Sequence, residues 1–130
     1  MRKNLDQQLT EVTTNFKRGA TEMLLMSLLI GKEQYAYELS KALKQTSQEL
    51  FDIQGPSLYT ALYRLEQKGF VATREQQAGH RTRVYYRVLP EGEQYLKRLI
   101  AEYRSITKGI FTVLDETAPQ REGKESTQDG

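Results

Sequence analysis

A chain of 130 residues with a net charge of +2 and no cysteine has the length of one domain with extensions, enough to bury a modest core. Lack of cysteine excludes disulfides and any thiolate-held metal. The charge is uneven: residues 115 to 130 carry five acids and two bases, a net of −3, which leaves +5 on the remainder, a bias compatible with nucleic acid.

No signal-peptide pattern opens the chain, and the most apolar run, Met23 to Ile30, is far too short to cross a bilayer. A cytoplasmic protein without a membrane partner is expected. Leu5, Leu9, Val12 and Phe16 recur at steps of four, three and four, which predicts a short amphipathic helix over residues 1–16 whose strip covers a partner subunit. Lys17 and Arg18 then precede Gly19 and the start of the next helix, where the backbone dipole disfavours cations and a bound phosphate would relieve the conflict. Ala20 to Ile30 is apolar on nearly all sides and reads as the central helix, ended by Gly31. From Ala36 to about Ser47, Leu39, Ala42 and Leu43 form an inward face and Glu38, Lys41 and Lys44 an outward one. Leu50, Phe51 and Ile53 are expected to plug the gap before the next helix, and the connection is long for a minimal helix-turn-helix.

Residues 54 to 88 organise the rest. Gly55 and Pro56 start a helix and Gly69 stops it. Leu58, Ala61, Leu62 and Leu65 share the face a buried helix needs, while Ser57, Tyr59, Thr60, Tyr63 and Arg64 offer hydrogen-bonding groups away from it. FVATRE and TRVYYRV follow as two strand-like segments around a turn containing Gly79. Arg74, Arg81, Arg83 and Arg87 stand there against Glu75, with His80 at the tip. The plan is a recognition helix followed by a basic wing, within a domain spanning 17–89.

A last helix is predicted from Pro90 to Leu114. Leu96, Leu99, Tyr103, Ile106, Ile110 and Leu114 approximate a heptad seam, widened by Ile100 and Phe111. Such a stripe calls for a partner helix, so 90–114 reads as a dimerisation helix and 115–130, without periodicity, as a flexible tail. The fold class expected is mostly α with a small β-hairpin: a winged helix-turn-helix domain flanked by N-terminal and C-terminal dimerisation helices.

Four segments, KRGATEMLLMSLL at 17–29, YAYELSKAL at 35–43, GPSLYTALYRLEQKGFV at 55–71 and GHRTRVYYRVLPEG at 79–92, resemble in order and spacing the PadR family of bacterial transcription regulators. The resemblance implies a homodimeric repressor relieved by a small effector, often aromatic, bound near the dimer interface. Relatives often carry Trp where this chain has Tyr103, which makes Tyr103 the candidate stacking residue. On this plan Ser57, Thr60, Tyr63 and Arg64 reach the bases or groove wall of a pseudo-palindromic DNA duplex. Lys17, Arg18, Tyr59, His80, Arg81 and Arg83 are left to hold phosphates.

Catalysis is not expected. The single histidine, His80, sits in a hairpin tip, a poor place for a desolvated base, and no phosphate loop, metal cluster or cofactor motif can be assembled. The competing possibility is a winged helix that binds protein rather than DNA.

Overall fold

The computed structural model describes residues 4–117, and the chain divides into two units between Leu96 and Lys97. Helix α1 runs Leu5–Leu29, capped by a reciprocal pair in which Asn4 Oδ1 accepts from the Gln7 N–H and Gln7 Oε1 from the Asn4 N–H. The short strand β1, Gln34–Tyr35, leads into α2, Ala36–Thr46, and α3 spans Gly55–Gln67. Strands β2, Val71–Ala78, and β3, Arg81–Val88, form the wing, and α4 covers Pro90–Glu116.

The break expected at Gly19 does not occur: α1 continues through it, with the Thr21 hydroxyl donating back to the Lys17 carbonyl at 3.0 Å. Lys17 and Arg18 therefore lie mid-helix, and the dipole argument for a phosphate at a helix start fails. One glycine in a helix interior costs about 1 kcal/mol, less than burial of Ala20, Met23, Leu25, Met26 and Leu29 on the same helix returns. Those side chains meet Ala36, Leu39 and Leu43 of α2, Leu58, Ala61, Leu62 and Leu65 of α3, and Val71, Tyr86 and Leu96 in one core.

Leu96 belongs to that core, 4% exposed, so it is not a free member of the expected seam. Leu50 corrects another expectation: it is 60% exposed rather than a plug, while Phe51 and Ile53 are half-buried. The loop carrying it holds Gln48 and Glu49 at φ of 54° and 67°, a conformation costing a non-glycine residue about 1–2 kcal/mol.

The sheet order is β1-β3-β2, antiparallel, with Gln34 opposite Tyr86 and Val71 opposite Val88. The Gln34 side chain is buried and donates to the Leu28 carbonyl at 2.7 Å, which ties β1 to α1. A two-residue turn, Gly79-His80, closes β2 on β3, with Gly79 at φ 64° as a tight hairpin turn with glycine first requires. The strands are longer and the turn shorter than the sequence suggests, because Gln76, Gln77 and Ala78 all pair. Helices packed around a small sheet, with a hairpin following the third helix, make this a winged helix.

The second unit, as far as it is described, is the remainder of α4. Ile106, Ile110, Phe111, Val113 and Leu114 are exposed along it, and Leu99 and Tyr103 are half-buried. Asp115 and Glu116 are still helical; from residue 118 the expected tail lies outside the described residues.

Candidate nucleic-acid interface

Helix α3 is amphipathic by design of its sequence. Leu58, Ala61, Leu62 and Leu65 face the core, and Ser57, Tyr59, Thr60, Tyr63, Arg64 and Gln67 are all exposed. Two side-chain contacts hold the far end of the helix: Lys68 Nζ meets Glu22 Oε1 at 3.0 Å, and the Thr73 hydroxyl donates to Glu66 Oε2 at 3.1 Å. They tie α3 to α1 and to the wing, so its outer face is presented by a fixed scaffold.

A cleft of about 550 Å³ opens beside it, lined by α1, the loop before α3, and α3 itself. It gathers Lys17, Arg18, Ser57, Thr60 and Arg64, five of the residues singled out from the sequence. Three acids also line it, Glu22, Glu49 and Asp52. Two lysines from outside the lining pair with them: Lys68 with Glu22 at 3.0 Å, and Lys44, shared, with Glu49 and Asp52 at 3.9 and 3.6 Å. The cations inside form no ion pair with those acids. Arg18 donates to Asn15 Oδ1 at 3.2 Å and Lys17 to the Leu50 carbonyl, and the Arg64 side chain makes no hydrogen bond or ion pair among the described residues. The three lining cations balance the three lining acids, and the two outside lysines leave the neighbourhood at +2, which favours an anion.

The wing divides its arginines. Arg74 forms a two-toothed ion pair with Glu33, donating from Nε at 2.8 and 3.0 Å and from Nη2, and its guanidinium sits 4.7 Å above the Tyr85 ring. Arg83 sits 4.5 Å above the ring of Tyr35, which meets Tyr85 edge-on at 5.5 Å. The two contacts of Tyr35 fasten the wing to β1, while the stack of Arg74 on Tyr85 joins β2 to β3 within it. His80 and Arg81 are exposed at the tip. Neither Glu33 nor Tyr35 is legible as part of the site, since their partners lie some forty to fifty residues later and nothing in their local pattern marks them.

The hydrogen bond from Arg74 holds the Glu33 carboxyl below the usual carboxylate range, and the charges of Arg74 and Arg87 add to this. A depressed folded-state pKa contributes stability above the ordinary carboxylate pKa and loses it as pH falls through the folded value. Glu33→Gln is therefore expected to unfold at lower urea than wild type at pH 7 and to converge with it in acid. A gap that persists unchanged below pH 3 would show that the charge of Glu33 is not what matters.

The family model for the transcriptional regulator PadR-like family matches residues 25–98, more than half of the chain and the whole segment from the C-terminal end of α1 into α4. This chain belongs to the PadR family. Among solved structures, a transcriptional regulator from Clostridium thermocellum is 34% identical, with a TM-score of 0.70 over 75% of this chain and 93% of that one. A PadR family transcriptional regulator from Eggerthella lenta is 29% identical, with a TM-score of 0.77 over 87% of this chain and 96% of that one. A protein from Lysinibacillus sphaericus is 28% identical over 100 residues, 76% of this chain and 92% of its own.

PadR-family regulators are DNA-binding proteins and not enzymes, and the winged helix here is a transcription regulator's. No helix among the described residues is long and apolar enough to cross a membrane. Tyr103, named as the effector residue, stands on α4 in the second unit, apart in sequence from everything that lines the cleft.

Proposed function

We propose that this PadR-family protein is a cytoplasmic, homodimeric repressor that reads a pseudo-palindromic duplex and releases it on binding a small effector. The observation that carries the DNA-reading part is the joining of the exposed polar face of α3 to a cleft whose acids are paired with lysines from outside, leaving its own cations unpaired. On this reading residues 17–89 bind DNA, and residues 1–16 and 90–114 dimerise. The exposed apolar strips Leu5, Leu9, Val12 and Phe16 on α1, and Ile106, Ile110 and Leu114 on α4, support that division.

Two α3 helices would enter successive major grooves about 34–36 Å apart. Ser57, Thr60, Tyr63 and Arg64 would meet bases or the groove wall, while Arg18, Tyr59, His80, Arg81 and Arg83 hold phosphates. An effector stacking on Tyr103 would act by favouring the spacing of the two α3 helices that does not match the duplex.

The test is a gel-shift titration against salt with a duplex selected from a random pool. Each phosphate contact removed takes about 0.9 from the slope of log affinity against log salt. Arg81→Ala with Arg83→Ala, on two protomers, is expected to lower that slope by about 2 to 4 and to weaken selected and random duplexes alike. Unchanged slope and affinity would remove the wing from the interface. Failure of the wild type to bind any duplex would return the winged helix to the role of a protein-binding module.

A further inference from the structure

Lys17 lines the cleft, yet its ammonium is turned toward the protein. Nζ donates to the Leu50 carbonyl and lies 5.7 Å from the centre of the Phe51 ring. Both residues belong to the loop between α2 and α3, which holds two consecutive non-glycine residues, Gln48 and Glu49, in the left-handed region. Such a loop keeps its shape only if its surroundings over-determine it.

The ties that do so can be named. The Glu49 N–H donates to the Lys44 carbonyl at 2.7 Å, the Leu50 N–H to the Ser47 carbonyl at 3.1 Å, and the Phe51 N–H to the Ser47 hydroxyl at 3.0 Å. Lys44 adds ion pairs to Glu49 and Asp52. All of these join the loop to α2 or to itself. Lys17, 33 residues earlier in the chain, reaches it from α1. Past Asp52 the loop runs into Gln54 and the first turn of α3, where Ser57 lies.

We propose that Lys17 is a positioning residue for DNA reading, fastening the loop before α3 to α1 and thereby setting the start of the recognition helix, and that it is not one of the phosphate contacts. This rests on the DNA-binding reading above for its functional consequence, but the latch itself does not. A phosphate contact and a latch differ in what they do to salt dependence. Loss of a phosphate contact lowers the salt slope and weakens every duplex equally. Loss of a latch leaves the counterions released unchanged and spoils the register of Ser57 and Thr60 on the bases.

The experiment compares wild type, Lys17→Met and Lys17→Arg on the selected duplex and on a random-sequence duplex, with backbone amide exchange measured on the free proteins. Lys17→Met is expected to bind the selected duplex about tenfold more weakly, to bind the random duplex within about twofold of wild type, and to keep its salt slope. Lys17→Arg, which can still donate to the Leu50 carbonyl, should recover most of the loss. In the free protein the amides of Glu49, Leu50 and Phe51 should exchange faster in Lys17→Met while those of Leu39 and Leu62 do not change.

A lower slope with equal weakening of both duplexes would overturn the proposal in favour of a phosphate contact. Unaltered exchange at Glu49 to Phe51 would overturn the latch itself. If the wild type selects no duplex, the DNA-binding reading fails, and the exchange comparison still decides whether Lys17 holds the loop.

Discussion

Gly92→Ala is expected to destabilise the protein by about 3 kcal/mol or more, the upper end of what overpacking a core costs. Gly92 lies in the first turn of α4 and is buried. A Cβ there would stand 2.2 Å from the Phe70 carbonyl oxygen and 2.9 Å from its carbon. Neither atom can step aside. The Phe70 carbonyl accepts from the Leu89 N–H at 2.9 Å, its ring stacks on Tyr95 at 4.3 Å, and the next residue, Val71, is a fully buried strand residue paired with Val88. Relief must come from moving the start of α4 away from the junction between α3 and β2, which also draws Leu96 from the core. Thermal unfolding followed by circular dichroism should fall by about 12 °C or more for a domain of this size. Gly19→Ala is the matched control: nothing lies within 4 Å of a Cβ at that position, so the same substitution inside α1 should stabilise by up to about 1 kcal/mol. If the two variants behave alike, the close approach at Phe70 is not what requires glycine.

Much of the architecture was legible because binary pattern and punctuation agreed. The inward face of α3, its end near Gly69 and the two strands of the wing follow from spacing and turn residues alone. What escaped has a common cause, which is that it depends on residues far away in sequence. Strand β1 is two residues long and exists because Tyr86 and Tyr85 lie opposite Gln34 and Tyr35; no local signal marks so short a strand. Gly19 looks like a boundary, but the tertiary burial of the turns that follow it outweighs a single glycine.

The interface was legible in membership and not in wiring. Counting charges finds four arginines on the wing and treats them as equivalent. Glu33 takes Arg74 and Tyr35 takes Arg83, which leaves Arg87 along β3 and Arg81 with His80 at the tip unstacked. Likewise a heptad count extends the seam back to Leu96, because periodicity says which side chains share a face and is silent on whether the face meets the chain's own core or another chain. Burial of Leu96 in the first unit settles it for that residue.

The largest effect on DNA binding is expected from the α4 stripe rather than from any residue that would touch DNA. Ile106 and Ile110 are exposed in the single chain, with Phe111, Val113 and Leu114 beside them. A helix with so wide an apolar surface is poorly matched to water, and the proposed dimer would cover it with its own copy. Burying one isoleucine stabilises by about 1.5–3 kcal/mol, so two from each protomer amount to about 6–12 kcal/mol across a two-fold seam. Ile106→Asp with Ile110→Asp removes that burial and sets like charges opposite each other. The dimer dissociation constant is then expected to rise by four decades or more, each 1.4 kcal/mol being worth about tenfold. Sedimentation at micromolar protein should show a monomer with an unchanged wing and core by circular dichroism. Affinity for a two-half-site duplex should collapse toward that of a single half-site, since the two α3 helices are no longer linked. A variant that sediments as a dimer would place the interface elsewhere, with the exposed strip of Leu5, Leu9, Val12 and Phe16 on α1 the next surface to alter. A monomeric variant that keeps full affinity for the selected duplex would show that one winged helix suffices and that the operator is not read as a palindrome.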